Sequence, residues 1–319
     1  MLCSSDMHAR RILRVALPFS FLAVAAAQEL PVFRSDSTVV VVPVTVTDRS
    51  GRFVPGLTAD QFEISDGESR RAITQFSADR VPISLGILLD ISGSMTTDPN
   101  AAAALKLLVT RLAPHDEVFF AVFNDKVSLA VPWTEDHARV SRAVHSLKPG
   151  GTTALLEAVK LITPAFQLAR YPRKVLLLIS DGNDTRLPPA LPRQFERGTQ
   201  QQADAAERRQ RLRDLMIGGT TDAITKSEAA LYAIGLGPDP ELMNLPLLET
   251  LTADSGGYVE LPSGLADLSA AVARVCDELQ SQYLLGFEPV RADGRVHPIK
   301  VTVKKSGVNV RARAGYVAK

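Results

Sequence analysis

Residues 83–95 read ISLGILLDISGSM, and this segment carries most of the information on fold class. Its first seven residues are nearly all apolar, and a run of this length bounded by turn-forming residues predicts a buried strand rather than a helix. Asp90, Ser92 and Ser94 then alternate on the loop leaving the carboxyl end of the strand, where open α/β sheets hold ligands. Carboxylate and hydroxyl oxygens suit Mg²⁺, so the loop is a candidate metal site. A polar turn with Asp90 as a cap is the alternative.

Two further segments offer oxygen ligands in comparable positions. Residues 150–153, GGTT, precede a helical pattern, so a threonine hydroxyl is expected at a helix N-terminus. Residues 174–180, KVLLLIS, form a second predicted buried strand, and Asp181 follows its end. All three loops therefore leave a strand at its carboxyl end or lead into a helix, and each carries an oxygen ligand.

Together these three loops resemble the metal-ion-dependent adhesion site of von Willebrand factor type A (VWA) domains. The family pattern is Asp-x-Ser-x-Ser, then a distant Thr, then a distant Asp before Gly. Thr152 is the alternative to Thr153, which is preferred because the family places a small residue five positions after its threonine, and Ala158 stands there. The resemblance assigns five metal ligands: Asp90, Ser92, Ser94, Thr153 and Asp181.

The resemblance implies a fold, a cofactor and a kind of partner. The fold is α/β, a doubly wound, Rossmann-like and mostly parallel sheet. The cofactor is Mg²⁺, with Mn²⁺ or Ca²⁺ as alternatives. In the family both carboxylates usually reach the metal partly through water, so the ion keeps positive charge and an open position. A Glu or Asp side chain of a protein partner would fill that position through a charge-assisted bond.

Short segments at both ends of the chain carry a wider resemblance. The segments are residues 39–48 (VVVVPVTVTD), 51–57 (GRFVPGL), 62–67 (FEISDG), 283–287 (YLLGF) and 311–316 (RARAGY). They resemble the secreted "VWFA-related" proteins typical of Acidobacteria, over nearly the whole mature chain except residues 186–225. The resemblance implies a protein that is secreted or lies in the periplasm or cell envelope of a bacterium.

The two ends of the chain alternate apolar and polar residues with the two-residue period of strands. Neither end is long enough to bury a good core alone. We therefore expect them to pair into one small β-sandwich, with the α/β domain inserted between them. The predicted domains are a signal peptide at 1–27, an N-terminal β segment at 28–80, the VWA domain at 81–282 with an insertion at 186–225, and a C-terminal β segment at 283–319.

The predicted insertion differs in composition from its surroundings. Residues 200–215 are rich in Gln, Ala, Glu and Arg and predict a solvated helix. Its arginines either face solvent or dock an acidic partner. Because the insertion follows Asp181 closely, we expect it at the rim of the metal site, where it would set specificity.

The first 27 residues have the features of a secretory signal. Basic residues precede an apolar stretch at 15–26, and three alanines before Gln28 offer a cleavage site. An uncleaved anchor is the alternative, and no later segment approaches the length of a membrane span. Cys3 would leave with the signal, so Cys276 has no partner for an internal disulfide. We interpret Cys276 as a buried apolar residue rather than a reactive thiol.

The charge balance, 36 basic against 35 acidic residues, argues against a nucleic-acid-binding protein.

An enzyme and a structural protein are the two alternatives to a binding module. A Mg²⁺-dependent hydrolase is the enzyme alternative, but aspartyl phosphatases need a second Asp where this chain has Ser92. The sequence also has no Gly-x-Ser-x-Gly, HExxH or Walker motif. A structural envelope protein with a vestigial site is the third interpretation.

Overall fold

The computed structural model describes residues 39–93, 100–190, 200–237, 239–263 and 265–318. The predicted signal peptide, residues 1–27, lies outside these ranges. The first strands are β1 (Val40–Asp48), β2 (Phe62–Asp66), β3 (Ser69–Arg71) and β4 (Gln75–Ser77). Buried and partly exposed residues alternate along β2 and along the first half of β1, as expected for strands with one face against a core.

A six-stranded sheet follows. Its strands are β5 (Ser84–Asp90), β6 (Glu117–Phe123), β7 (Val127–Thr134), β8 (Lys174–Ser180), β9 (Ala230–Gly235) and β10 (Val259–Glu260). Their order in the sheet is β10-β9-β8-β5-β6-β7. Only the edge strand β7 pairs antiparallel with its neighbour; the other pairs are parallel. All seven residues of β5 are buried, which confirms the strand expected from the apolar run.

Helices cover both faces of this sheet. They are α1 (Asn100–Arg111), α2 (Ala138–Val144), α3 (Leu155–Ile162), α4 (Gln200–Ser227), α5 (Leu245–Ala253) and α6 (Leu265–Ser281). One face packs against α1, α2 and α6, and the other against α3, α4 and α5. The predicted doubly wound α/β fold is therefore confirmed. Among the described residues, no helix is both long and apolar enough to cross a bilayer.

Helix α4 is longer than the sequence pattern indicated. The helix predicted over residues 200–215 continues to Ser227. Thr220 and Ile224, one turn apart, are both buried: Thr220 faces Leu156 of α3, and Ile224 belongs to the core on this face of the sheet. Most residues of the first half of α4 are exposed. Gly218 and Gly219 interrupt the helical propensity, so the end of this helix is determined by tertiary packing rather than by local sequence. The last third of α4 thus covers the domain instead of standing apart from it.

Four strands after α6 complete two further sheets with the first four strands. They are β11 (Tyr283–Phe287), β12 (Val296–Val303), β13 (Val308–Arg311) and β14 (Gly315–Val317). The sheets have the orders β13-β1-β11-β4 and β14-β12-β2-β3. Apolar residues of both sheets share one core, including Val44, Ile64, Leu285 and Ile299. Each of these sheets therefore combines strands from both ends of the chain.

Cys276 lies on the inner face of α6 and is 4% exposed. Burial raises the pKa of its thiol to about 11, so the thiol stays protonated at neutral pH. The interpretation of Cys276 as a buried apolar residue is confirmed.

A buried carboxylate joins α6 to both the central sheet and the sandwich. Glu278, 3% exposed, accepts hydrogen bonds from the hydroxyl of Thr45 on β1 at 2.9 Å and from that of Tyr232 on β9 at 2.7 Å. The guanidinium of Arg311 on β13 forms an ion pair with the same carboxylate. The charge of Glu278 is out of water, so its stability in the fold depends on these partners.

Replacing Arg311 with Ala should therefore destabilise the protein strongly. The variant leaves the Glu278 carboxylate buried without a cation, and the expected loss is about 3 kcal/mol in the free energy of unfolding, measured by urea denaturation. Arg142→Ala is the matched control, since it removes an arginine from an exposed ion pair with Asp136 and should cost less than about 1 kcal/mol. Equal losses in the two variants would contradict the role given to the buried pair.

Candidate functional site

Two acidic residues lie side by side at the carboxyl edge of the central sheet. Asp90 ends β5, and Asp181 directly follows β8, the parallel neighbour of β5. Their exposed fractions are only 1% and 3%. Burial, helped by the negative charge of Asp181, raises the pKa of Asp90 to about 6. The raised pKa is the expected response of a carboxylate that is withdrawn from water next to a like charge.

The carboxylate of Asp90 is held from two directions. Its Oδ1 accepts the backbone N–H of Ser92 at 2.8 Å, and its Oδ2 accepts the hydroxyl of Ser180 at 2.7 Å. Each oxygen keeps lone-pair capacity, because an ionised carboxylate offers about four acceptor positions. Ser92, itself 1% exposed, lies on the same loop. Ser94, the third residue of the predicted motif, lies outside the described residues.

The threonine loop is attached to the first loop through backbone hydrogen bonds. Gly93 donates its N–H to the carbonyl of Gly151 at 3.0 Å, and Gly150 donates to the carbonyl of Ile91 at 2.7 Å. Gly151 has a φ of 87°, a left-handed conformation that glycine adopts without strain. The 150–153 segment is therefore held directly against the Asp90 loop.

The same segment is attached to the loop that carries Asp181. The carbonyl of Thr153 accepts both the N–H of Thr185, at 2.9 Å, and its hydroxyl, at 2.8 Å. Thr153 is 4% exposed, whereas Thr152 is exposed. This difference favours Thr153 over Thr152 as a candidate ligand. The described candidate ligands thus lie on three loops that are hydrogen-bonded to one another.

Sequence reasoning missed three residues that hold these loops in place. Ser180 bonds to Asp90, as described above. Asp184 accepts the N–H of Leu156 at 2.8 Å and so caps the start of α3, directly after Thr153. Asn124 donates its side-chain amide to the carbonyl of Gly150 at 2.7 Å. Asn124 and Ser180 could have been found, because each is a polar residue at the carboxyl end of an apolar run, residues 118–123 and 175–179 respectively.

The donor set fits a hard divalent cation. The described candidate ligands are all oxygen donors, two carboxylates and two buried hydroxyl side chains, which is the chemistry Mg²⁺ prefers. Within the described ranges, neither Asp90 nor Asp181 forms an ion pair with a basic side chain. Nor do those ranges hold a cluster of three His, Cys, Asp or Glu that could bind a metal. A cation here would therefore also need the hydroxyl ligands.

The four histidines in the described part of the chain lie away from this edge of the sheet. His115 and His137 are near the start of β6, at the opposite edge, where a ring nitrogen of His137 contacts the carbonyl of Asp116 at 2.7 Å. His145 ends α2 and contacts the carbonyl of Ser141. His297 belongs to β12 of the sandwich. None of the four is placed to act as a base beside Asp90.

Comparisons with known proteins match part of the chain to a family and to solved structures. Residues 85–183 match the family model of the von Willebrand factor type A domain. No curated protein matches the sequence.

Three similar structures illustrate the likeness. An aerotolerance-related membrane protein from Bacteroides fragilis has 16% identity and a TM-score of 0.43, over 61% of this chain and 99% of that one. The conserved hypothetical protein BatB from Bacteroides thetaiotaomicron has 17% identity and a TM-score of 0.44, over 62% of this chain and 100% of that one. A von Willebrand factor type A protein from Catenulispora acidiphila has 14% identity and a TM-score of 0.46, over 89% of this chain and 75% of that one.

Asp90→Asn should stabilise the metal-free protein. The amide removes a buried negative charge, and because the pKa of Asp90 in the fold is about 6 against 3.8 for the free side chain, the gain should be about 1–3 kcal/mol. The ionised form is the disfavoured one, so the gain should be full above pH 6 and vanish as the pH falls towards 3.8. Urea denaturation in the presence of a chelator, at pH 7.5 and pH 4, measures it.

Asp136→Asn is the control for this prediction, since the Asp136 side chain is 53% exposed and its neutralisation should change the free energy of unfolding by no more than about 0.5 kcal/mol. A destabilised Asp90→Asn variant at pH 7.5 in chelator would show that Asp90 is primarily a structural residue.

Proposed function

This protein contains a von Willebrand factor type A domain, whose family model matches residues 85–183, and we propose that the protein is a binding module. A divalent cation at the carboxyl edge of the central sheet captures a Glu or Asp side chain of a protein partner. The cation is Mg²⁺, with Mn²⁺ or Ca²⁺ as alternatives. Its ligands are Asp90, Ser92, Ser94, Thr153 and Asp181.

One observation carries this proposal. Asp90 and Asp181 are buried at the ends of neighbouring strands, and in the described part of the chain no basic side chain pairs with either of them. Burying two carboxylates together is costly unless a proton or a cation compensates the charge. A divalent cation would compensate both carboxylates at once.

The proposed ligands leave the cation able to bind a carboxylate from a partner. Three of the five proposed ligands are neutral hydroxyls, so the site supplies fewer negative charges than a closed all-carboxylate cage. One carboxylate oxygen of Asp181 also accepts the N–H of Asn183 at 2.9 Å, so part of its charge is shared with the protein. A Glu or Asp from another protein then completes the coordination through a charge-assisted bond in a partly dry setting.

The segment after Asp181 supports a role in specificity. Arg186 forms an ion pair with Glu157 in the first turn of α3, and Arg213 of α4 donates to the carbonyl of Pro188 at 2.7 Å. The start of the predicted insertion and the exposed half of α4 therefore lie beside the helix N-terminus that follows Thr153. We place the partner's contact surface here, on a protein that is secreted or lies in the periplasm or envelope.

Metal binding is the first test. Isothermal titration calorimetry should show Mg²⁺ binding by the wild type, and Asp181→Asn should weaken the affinity by at least about 10–100-fold, the loss typical even of second-shell partners. Mg²⁺ at 100 times its dissociation constant should also stabilise the wild type by about 2.7 kcal/mol. Asp136→Asn should match the wild type in both measurements. An absence of binding at millimolar Mg²⁺ would favour the structural alternative.

Partner capture is the second test. The immobilised protein should retain a partner from envelope extract in Mg²⁺ and release it on addition of a chelator, and Asp181→Asn should retain none. Replacing one Glu or Asp of the purified partner by its amide should abolish the interaction, because the amide lacks the charge that the cation binds. A partner that binds equally well in chelator would contradict metal-mediated capture.

A further inference from the structure

We propose that Ser180 is a positioning residue for the metal site. Its hydroxyl holds the Asp90 carboxylate in the orientation that the cation needs, and it connects that carboxylate to the loop that carries Asp181. This inference rests on the proposed function, because it assigns a role in cation binding to a side chain that is not itself a proposed ligand.

The position of Ser180 allows one hydroxyl to serve two segments. Ser180 is the last residue of β8 and is fully buried. Its hydroxyl donates to Asp90 Oδ2 at 2.7 Å, and its oxygen accepts the N–H of Gly182 at 3.1 Å. A single side chain is thus hydrogen-bonded both to the acid at the end of β5 and to the backbone next to Asp181.

The hydrogen bond from Ser180 restricts the rotation of the Asp90 carboxylate. Ser92 holds Oδ1 from within the same loop, and Ser180 holds Oδ2 from the neighbouring strand. Rotation about the last side-chain bond would break one of these two contacts. Groups that orient a metal ligand in this way are typically worth 10–100-fold in metal affinity.

The loop on the other side of Ser180 cannot readily adjust. Gly182 has a φ of 78°, and a Cβ on it would lie 2.7 Å from the carbonyl oxygen of Asn244, so the backbone here is closely packed. The next residue, Asn183, donates its N–H to Asp181 Oδ1 at 2.9 Å. The Ser180 hydroxyl therefore joins Asp90 to a loop of fixed shape and sets the spacing between the two acids.

The opposite edge of the sheet provides a matched control. Ser84, the first residue of β5, is also fully buried. Its hydroxyl donates to Glu117 at 2.5 Å and accepts the N–H of Tyr171 at 3.0 Å. Ser84 and Ser180 thus have the same burial, the same kind of acceptor and the same kind of donor, but only Ser180 adjoins the proposed metal ligands.

The experiment compares Mg²⁺ affinity and stability in four variants of the full chain. Ser180→Ala should weaken Mg²⁺ binding by about 10–100-fold, and Ser180→Thr, which keeps the hydroxyl, should restore it to within about threefold. Ser180→Cys keeps the size but offers only a weak S–H donor, and should lose roughly fivefold. Ser84→Ala should lose as much thermal stability as Ser180→Ala while binding Mg²⁺ as the wild type does. Calorimetry gives the affinities and thermal denaturation the stabilities.

Each possible result either supports or overturns the positioning role of Ser180. Full Mg²⁺ affinity in Ser180→Ala overturns the positioning role while leaving the proposed function intact. Equal loss of affinity in Ser84→Ala and Ser180→Ala shows a general effect of destabilisation and also overturns it. If Ser180→Ala does not fold, wild-type affinity in Ser180→Cys overturns the inference and a reduced affinity rescued by Ser180→Thr supports it. A wild type that binds no Mg²⁺ overturns both the proposed function and this inference.

Discussion

The main physical constraint on this structure is the burial of two neighbouring carboxylates, those of Asp90 and Asp181. Parallel strands end at the same edge of a sheet, so residues that follow neighbouring strands are brought together. Two other buried acids have an arginine: Asp116 pairs with Arg80 at 2.7 Å, and Glu278 pairs with Arg311. The acids at the carboxyl edge lack such a partner among the described residues. Their arrangement lowers stability without a cation, and binding of the proposed cation would offset that loss.

Much of the fold could be predicted from the sequence, because the patterns of apolar residues that indicate its strands are local. The apolar runs of β5 and β8 are as long as the strands they form, and an acid or hydroxyl at the end of such a run indicates the ligand edge. The alternating segments at both ends predicted strands for the same reason. The end of α4 could not be predicted, because the helix is extended by the burial of Ile224 in the core and not by helix propensity. The place of Ser180 at the end of the β8 run indicated the ligand edge, but the sequence does not show that its hydroxyl donates to Asp90. All five metal ligands stay predictions, and Ser94 lies outside the described residues.

Polar groups at the two edges of the central sheet serve different purposes. At the amino edge the carboxylate of Glu117 accepts hydrogen bonds from the hydroxyl of Ser84 and from the backbone N–H of Arg170, so it is satisfied within the protein itself. At the carboxyl edge the same kind of hydroxyl, that of Ser180, donates to Asp90, which has no basic partner in the described part of the chain. Ser84 and Ser180 thus make the same kind of contact at the two edges of the sheet. Only the charges around Ser180 make its edge a candidate binding site.

The sandwich has a consequence for how the chain is made. β1 pairs with β11 and β13, and the Val44–Tyr283 pair joins residues separated by roughly 240 positions, a strongly non-local contact. At ordinary rates of synthesis the ribosome needs about 10–50 s to add that many residues. Throughout that interval a valine-rich strand has neither neighbour and is free to pair with other chains. Efficient production therefore depends on keeping the nascent β1 segment from aggregating until β11 and β13 have been synthesised.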